Sequence, residues 1–226
     1  MLAKMSGYDL RYLHDDQIEV GLDEAGRGCL FGRLYVGAVV LPAELDCFFD
    51  NGAELMSIRD SKKLTERRRD VLYDYVTECA VDYNVSWCSA SQVDEENVLQ
   101  ADLNTMHAAL DALTVPVQRI LVDGDCWKPW LTNPDAEVYK IVDGDSKFLA
   151  IAAASILAKV ERDRWVLSVC DEFPDYDEKY GLRSNKGYGT PKHMAGLKEH
   201  GATPLHRMTF APCSGITKSK KATCLI

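Results

Sequence analysis

Apolar residues recur along the chain at two spacings, and these divide it into short strands and longer helices. Residues 18–22 form a short apolar segment that runs into the acidic pair Asp23-Glu24 and then a Gly-Arg-Gly turn, while residues 34–41 are a β-rich run that stops at Pro42. Together they predict a strand, a tight glycine turn and a second strand. A helix follows with Thr65 as its N-cap, and Leu72, Tyr75, Val76 and Cys79 recur at helical spacing to give it a buried face. Tyr83, Val85 and Trp87 alternate in the manner of a half-buried strand. Residues 92–113 predict one long amphipathic helix carrying Val98, Leu103, Met106, Leu110 and Leu113. Residues 120–122 read as a strand running into Asp123, and residues 138–142 as another running into Asp143-Gly144-Asp145. Residues 151–169 are helical, and Ala152, Ala153 and Ala154 at their start permit close packing on a sheet. Beyond Pro174 come a glycine-rich loop over residues 181–189, a helix from Pro191 that stops at Gly201, and a tail. This order describes an α/β layer with a mixed sheet and no internal repeat.

Composition narrows the setting. The 226 residues suffice for one sizeable domain, and 46% hydrophobic residues can bury a core. No apolar run is long enough to cross a bilayer, so no membrane association is expected. Residues 1–16 lack an apolar signal core, and no targeting segment is read there. The eight cysteines form no Cys-x-x-Cys pair, which argues against a zinc site and for reduced thiols in the cytoplasm. A net charge of −9 by itself disfavours a nucleic-acid partner. Local charge is the better guide, however. Arg59, Lys62, Lys63, Arg67, Arg68 and Arg69 form a dense basic block, and Lys186 and Lys192 flank the glycine-rich loop.

Asp23, Glu24, Asp123 and Asp145 all fall at predicted strand ends or turns, where open α/β sheets place ligands. Successive side chains of a regular strand face opposite ways, so Asp23 and Glu24 are expected to serve one site only if the strand ends there. Converging carboxylates repel unless a cation joins them, and hard oxygen donors suit Mg²⁺ or Mn²⁺. An acid at any one of these positions alone is better read as a solvated turn residue.

Taken in order, these stretches resemble the ribonuclease HII family. The resemblance is carried by Gly21-Leu22-Asp23-Glu24-Ala25-Gly26-Arg27-Gly28, Asp60-Ser61-Lys62-Lys63-Leu64-Thr65, Val122-Asp123-Gly124 and Gly144-Asp145-Ser146. It continues through residues 153–160 (AASILAKV), Lys186-Gly187-Tyr188-Gly189-Thr190 and His206-Arg207, and so spans roughly residues 18–212. It implies a ribonuclease H-like mixed β-sheet flanked by helices, with an N-terminal extension (1–17), a catalytic domain (18–170), a C-terminal helical segment completing the substrate groove (171–213) and a solvated tail (214–226). It implies an endoribonuclease that hydrolyses the RNA strand of RNA–DNA hybrids and cuts 5′ to single ribonucleotides in duplex DNA, by a two-metal route with Mg²⁺ or Mn²⁺. Its setting would be ribonucleotide excision repair and DNA replication, and its form a monomer. Asp23, Glu24, Asp123 and Asp145 would be the catalytic metal ligands. Gly26, Arg27 and Gly28 would sense the ribose 2′-hydroxyl, the group that distinguishes RNA from DNA, through a backbone that glycine lets approach closely. Tyr188 would sit beside the next sugar, and Lys62, Lys63, Ser155 and Lys159 would reach phosphate, with Lys159 equally able to anchor a carboxylate. His206 and Arg207 would brace the C-terminal segment, and His193 would lie on a helix surface.

The family usually reads Pro-Leu-Ala-Gly-Pro where this chain has Cys29-Leu30-Phe31-Gly32-Arg33, a basic residue where it has Asp143, and a histidine where it has Asn185. Asp125 is a further extra acid. Three other readings stand beside the first. One is the related ribonuclease HIII type, one an inactive hybrid-binding module, and one another Mg²⁺ phosphohydrolase. The chain has no Gly-x-x-x-x-Gly-Lys phosphate loop, and the tail holds no convincing clamp-binding motif.

Overall fold

The structure, a computed structural model, describes residues 12–13, 15–43 and 64–216. The chain divides into two units, one drawn from Met1–Ala25, Tyr35–Ser86 and Leu103–Val160, the other from Gly26–Leu34, Trp87–Asp102 and Glu161–Ile226.

The first unit is built on strands β1 (Glu19–Ala25), β2 (Leu34–Val40), β3 (Asp82–Cys88), β4 (Arg119–Asp123) and β5 (Glu137–Ile141), in the sheet order β3-β2-β1-β4-β5. β1 runs antiparallel to β2 and parallel to β4, and β4 runs parallel to β5. The sheet is therefore mixed, as expected. Every residue of β2 is buried, which explains its unbroken apolar run. Helices α1 (Glu66–Cys79) and α4 (Leu149–Glu172) pack with it, joining Val39, Leu72, Val76, Ala154, Ile156 and Leu157 in one core. Thr65 caps α1, its hydroxyl accepting the Arg68 N–H at 3.3 Å.

Glycines let α4 approach the sheet. A Cβ on Gly21 would stand 2.2 Å from the Ala150 carbonyl carbon, and one on Gly37 2.3 Å from the Ala154 oxygen. Backbone blocks both, so no rotamer change relieves them.

At the opposite end from the acidic motifs, the first residues of three strands form one row, Glu19↔Arg119↔Glu137. Arg119 is buried there and donates to Glu19 (3.0 Å), Glu137 (3.5 Å) and Asp15 (2.7 and 3.0 Å). These partners push its pKa up, Asp15 foremost.

Two local expectations change. The helix read over residues 92–113 is two helices, α2 (Ala90–Glu96) and α3 (Val98–Asp111). Asn97 stands between them at φ 69°, and its side-chain oxygen accepts the Leu99 and Gln100 N–H groups, so it caps a new helix. β3 is half-buried as read: Val85 packs against the core, while Tyr83 and Trp87 on the same face keep 40% and 46% of their surface exposed. β1 does not stop at Leu22, because β2 pairs with it as far as Ala25↔Tyr35.

The second unit carries helices α5 (Pro174–Tyr180), α6 (Leu182–Asn185) and α7 (Pro191–His200). Phe31, Val166, Cys170, Tyr176, Tyr180, Leu182 and Leu197 form its core. The glycine-rich stretch thus contains the short helix α6, and α7 stops at Gly201 as the sequence predicts.

Replacing Gly37 with Ala is expected to cost about 1–3 kcal/mol by overpacking. At roughly 2–4 °C per kcal/mol for a chain of this size, thermal unfolding will show it. Gly28→Ala, whose Cβ meets nothing within 4 Å, should leave the midpoint unchanged. Equal midpoints for the two variants would contradict this packing.

Candidate active site

The parallel pairing of β1 and β4 ends at Leu22↔Val122, so Asp23 and Asp123 leave the ladder as neighbours at its C-terminal end. Asp23 is only 4% exposed. Its pKa is raised well above the ordinary carboxylate range, first by burial, then by the charges of Glu24 and Asp123. The Ser155 hydroxyl and the Glu24 N–H, the latter at 2.7 Å, donate to the same carboxylate and oppose that rise.

Asp145 enters from the next strand connection. Its 3₁₀ turn, Gly144–Ser146, follows β5, and Gly144 donates its N–H to Asp123 Oδ1 at 2.7 Å. The three acidic stretches read from the sequence therefore belong to one sheet end, joined by Glu24 acting on Asp23 and Gly144 bonding Asp123. Glu24 stands within a strand, one position from Asp23, yet is close enough to raise it. Among the described residues no three Asp, Glu, His or Cys side chains are already set as a metal cage. Ser155 is buried against Asp23, and Lys159 lies half-buried one helical turn further along α4. Lys62 and Lys63 fall outside the described residues.

The second unit holds the Gly-Arg-Gly turn and Tyr188. Gly26 adopts φ +90°, and a Cβ there would stand 2.0 Å from Arg162 Nε, so the fold requires glycine. Nothing within 4 Å would meet a Cβ on Gly28. Arg27 reaches Asp102 at 3.6 Å. Two fully buried arginines, neither assigned this work by the sequence motifs, hold this turn and the residues after it by main-chain carbonyls. Arg162 donates to Phe31 (3.1 Å), Arg33 (3.1 Å) and Lys186 (2.7 Å), and Arg207 to Arg27 (2.8 Å) and Gly32 (3.1 Å). Burial lowers the Arg207 pKa to about 10. Arg207, expected to brace the C-terminal segment, bonds instead the Arg27 and Gly32 carbonyls of this turn and the residues after it. Nothing about Arg162 in the sequence, an arginine in a long helix, distinguishes it from a surface residue.

Tyr188 keeps 42% of its surface exposed, while burial of its hydroxyl end, with Cys29 beside it, pushes the phenol up to about 12. Cys29 also sets its thiol 3.9 Å from the Lys186 carbonyl. The departures from the family pattern therefore have structural uses. Cys29 meets Tyr188, and Arg33 lies 3.5 Å from the Trp87 ring centre and 5.0 Å from that of Trp165. Asn185 donates to the Tyr180 carbonyl and accepts from Gly187. Asp125 and Asp143 are exposed. His193 is not on a helix surface; it is fully buried against His206.

With this geometry in place, the comparisons are specific. A family model for ribonuclease HII matches residues 20–213. Ribonuclease HII of Bacteroides thetaiotaomicron is 45% identical over 201 residues, covering 89% of this chain and 93% of that protein. The crystal structure of ribonuclease H2 from Pyrococcus horikoshii superposes with a TM-score of 0.70 at 26% identity, covering 87% of this chain and 95% of that one. Bst-RNase HIII, solved in complex with Mn²⁺, shares the fold with a TM-score of 0.60 at 20% identity, over 88% of this chain and 68% of that one. The chain belongs to the ribonuclease HII family, and is a nuclease of the hydrolase class.

Proposed function

We propose that this ribonuclease hydrolyses the RNA strand of RNA–DNA hybrids and cuts 5′ to single ribonucleotides embedded in duplex DNA, leaving 3′-hydroxyl and 5′-phosphate ends. The observation that carries the reading is the buried Asp23, crowded by Glu24 and Asp123 where the parallel pairing of β1 and β4 ends. A donor set made only of carboxylates, destabilised by its own repulsion, fits a hard divalent cation such as Mg²⁺ or Mn²⁺. Asp23, Glu24, Asp123 and Asp145 would hold it. Two ions bound there would supply an activated water and stabilise the leaving oxygen of an in-line displacement.

The protein's own groups do the positioning. Ser155 and the Gly144 N–H fix the lone pairs of Asp23 and Asp123 that remain for ligands. Gly28 has room for a side chain and no structural need of its absence, which suits a backbone kept bare for close approach of a ribose. Arg27 shares that turn. The half-exposed Tyr188 ring offers a face on which a sugar can pack. Lys159, with Lys62 and Lys63, would meet phosphates. The reading places the enzyme in ribonucleotide excision repair and replication, in the cytoplasm.

The test is a DNA duplex carrying one ribonucleotide, with Mg²⁺ or Mn²⁺ present. The wild type should cut 5′ to the ribonucleotide. Ser155→Ala should lose about 10–100-fold, the usual effect of removing a group that orients a metal ligand, and Asp23→Asn more. Cleavage confined to long hybrid tracts would favour the ribonuclease HIII type instead, and binding without cleavage the inactive module.

Asp23 also carries a stability prediction. Its raised pKa means that ionisation opposes folding near neutral pH, so Asp23→Asn should unfold at a higher temperature than wild type when both are held in chelator. A gain of 1 kcal/mol corresponds to about 2–4 °C. A lower midpoint would mean that the carboxylate is already compensated.

Substrate affinity should fall as salt rises. Two phosphate contacts predict about a tenfold loss between 50 and 200 mM salt, and more contacts a steeper one. A flat response in a binding titration would remove the phosphate contacts from the account.

A further inference from the structure

We infer that His193 and His206 are positioning residues: a buried pair of neutral imidazoles, ordered by their shared protons, that sets the Tyr188 main chain for recognition of the RNA-to-DNA junction. The inference rests on the reading of Tyr188 given above and adds the means by which that residue is held.

The proton order follows from a single donor. The backbone N–H of Thr203 can only donate, and it meets His206 Nδ1 at 2.9 Å, with the Thr203 hydroxyl at the same distance. Nδ1 of His206 is therefore the acceptor, and a neutral His206 carries its proton on Nε2. That nitrogen stands 3.0 Å from Nε2 of His193. His193 must accept there, which leaves its own proton on Nδ1, 2.9 Å from the Tyr188 carbonyl. Only one arrangement of two neutral rings satisfies all four contacts. It runs from the Thr203 amide through both rings to the carbonyl of Tyr188.

The surroundings hold the pair neutral. Both rings are buried, and the Tyr180 ring stands edge-on to each, 4.9 Å from His206 and 5.8 Å from His193. The Phe31 ring closes on His206 at 5.0 Å. Tyr180 spends its hydroxyl on the Gly201 carbonyl at 2.9 Å, and the neighbouring Arg207 directs its guanidinium to the Arg27 and Gly32 carbonyls. No carboxylate contributes to the state of either ring. Burial lowers both pKa values, that of His206 to about 3 with a further contribution from His193. A cation on either ring would place two donors against one another and break the relay.

The far end of the relay is the residue proposed to touch substrate. Tyr188 receives His193 and the Thr190 N–H (2.8 Å) on its carbonyl and gives its own N–H to Asn185 (3.0 Å). Cys29 meets its hydroxyl. The residue is thereby fixed at its main chain and its tip, with the ring left accessible.

Two measurements test this on the full chain. Imidazole nitrogen NMR should show His206 protonated on Nε2 and His193 on Nδ1, both still neutral at about pH 5, well below the ordinary histidine pKa. The opposite tautomer on either ring, or a cationic ring at that pH, would overturn the relay. Cleavage of a single-ribonucleotide duplex should then be compared with that of a continuous hybrid. His193→Leu should lower the ratio of the two about tenfold, the effect of one lost positioning hydrogen bond. His193→Asn, whose amide can occupy the Nδ1 position, should recover most of it. In a Tyr188→Ala background His193→Leu should cause no further loss. Equal losses on both substrates in a folded His193→Leu protein, or losses that add to those of Tyr188→Ala, would refute the positioning role. If Tyr188→Ala itself leaves the ratio unchanged, the reading of Tyr188 fails and the inference falls with it. If Tyr188→Ala lowers the ratio and His193→Leu does not, the relay alone fails.

Discussion

Two groups of acids occupy opposite ends of the same parallel strands, and the difference between them governs the molecule. At the start of β1, β4 and β5, Glu19 and Glu137 flank a buried Arg119 that supplies their counter-charge from within the chain. At the far end, Asp23 is buried, and Glu24 and Asp123 are the charges that raise its pKa most. Buried like charges are costly, and a divalent cation from solution, in the reading proposed here, relieves that crowding. The sheet register makes the arrangement unavoidable, since pairing Leu22 with Val122 brings the next residues, both aspartates, side by side.

The second unit is built on a different use of charge. Gly26-Arg27-Gly28 and the turn after it hang by their carbonyls from Arg162 and Arg207. A buried guanidinium offers five donors and needs acceptors, and the loop carbonyls supply several, although Arg207 Nη2 is buried without a partner among the described residues. Because Arg162 also holds Lys186, it links that turn to the stretch preceding Tyr188. The neutral histidine pair continues the scheme on the other side of Tyr188.

How much of this was legible in the sequence depends on what kind of signal each part leaves. The carboxylates stand in short motifs and strand β2 is a continuous apolar run, so both could be read directly, although β1 runs on past Asp23 and Glu24. Alternation alone did not reveal that Tyr83 and Trp87 stay exposed at the two ends of the face through which Val85 reaches the core. The break at Asn97 was hidden because the apolar spacing of residues 92–113 runs through it, although Asn followed by a helical stretch is a cap signal. Arg162 and the burial of His193 left no local trace at all. Their positions are set by contacts with residues distant in the chain, Arg33 and Phe31 in one case and His206 in the other.

The measurement that bears most directly on this account is calorimetric titration of Mn²⁺ into the wild-type protein and into Asp23→Asn and Asp123→Asn, without nucleic acid. The account predicts saturable binding to the wild type that releases the strain of the crowded carboxylates and is lost or greatly weakened in both variants. Unchanged Mn²⁺ binding in the variants would contradict it, because the ion would then be held somewhere other than the shared end of β1 and β4.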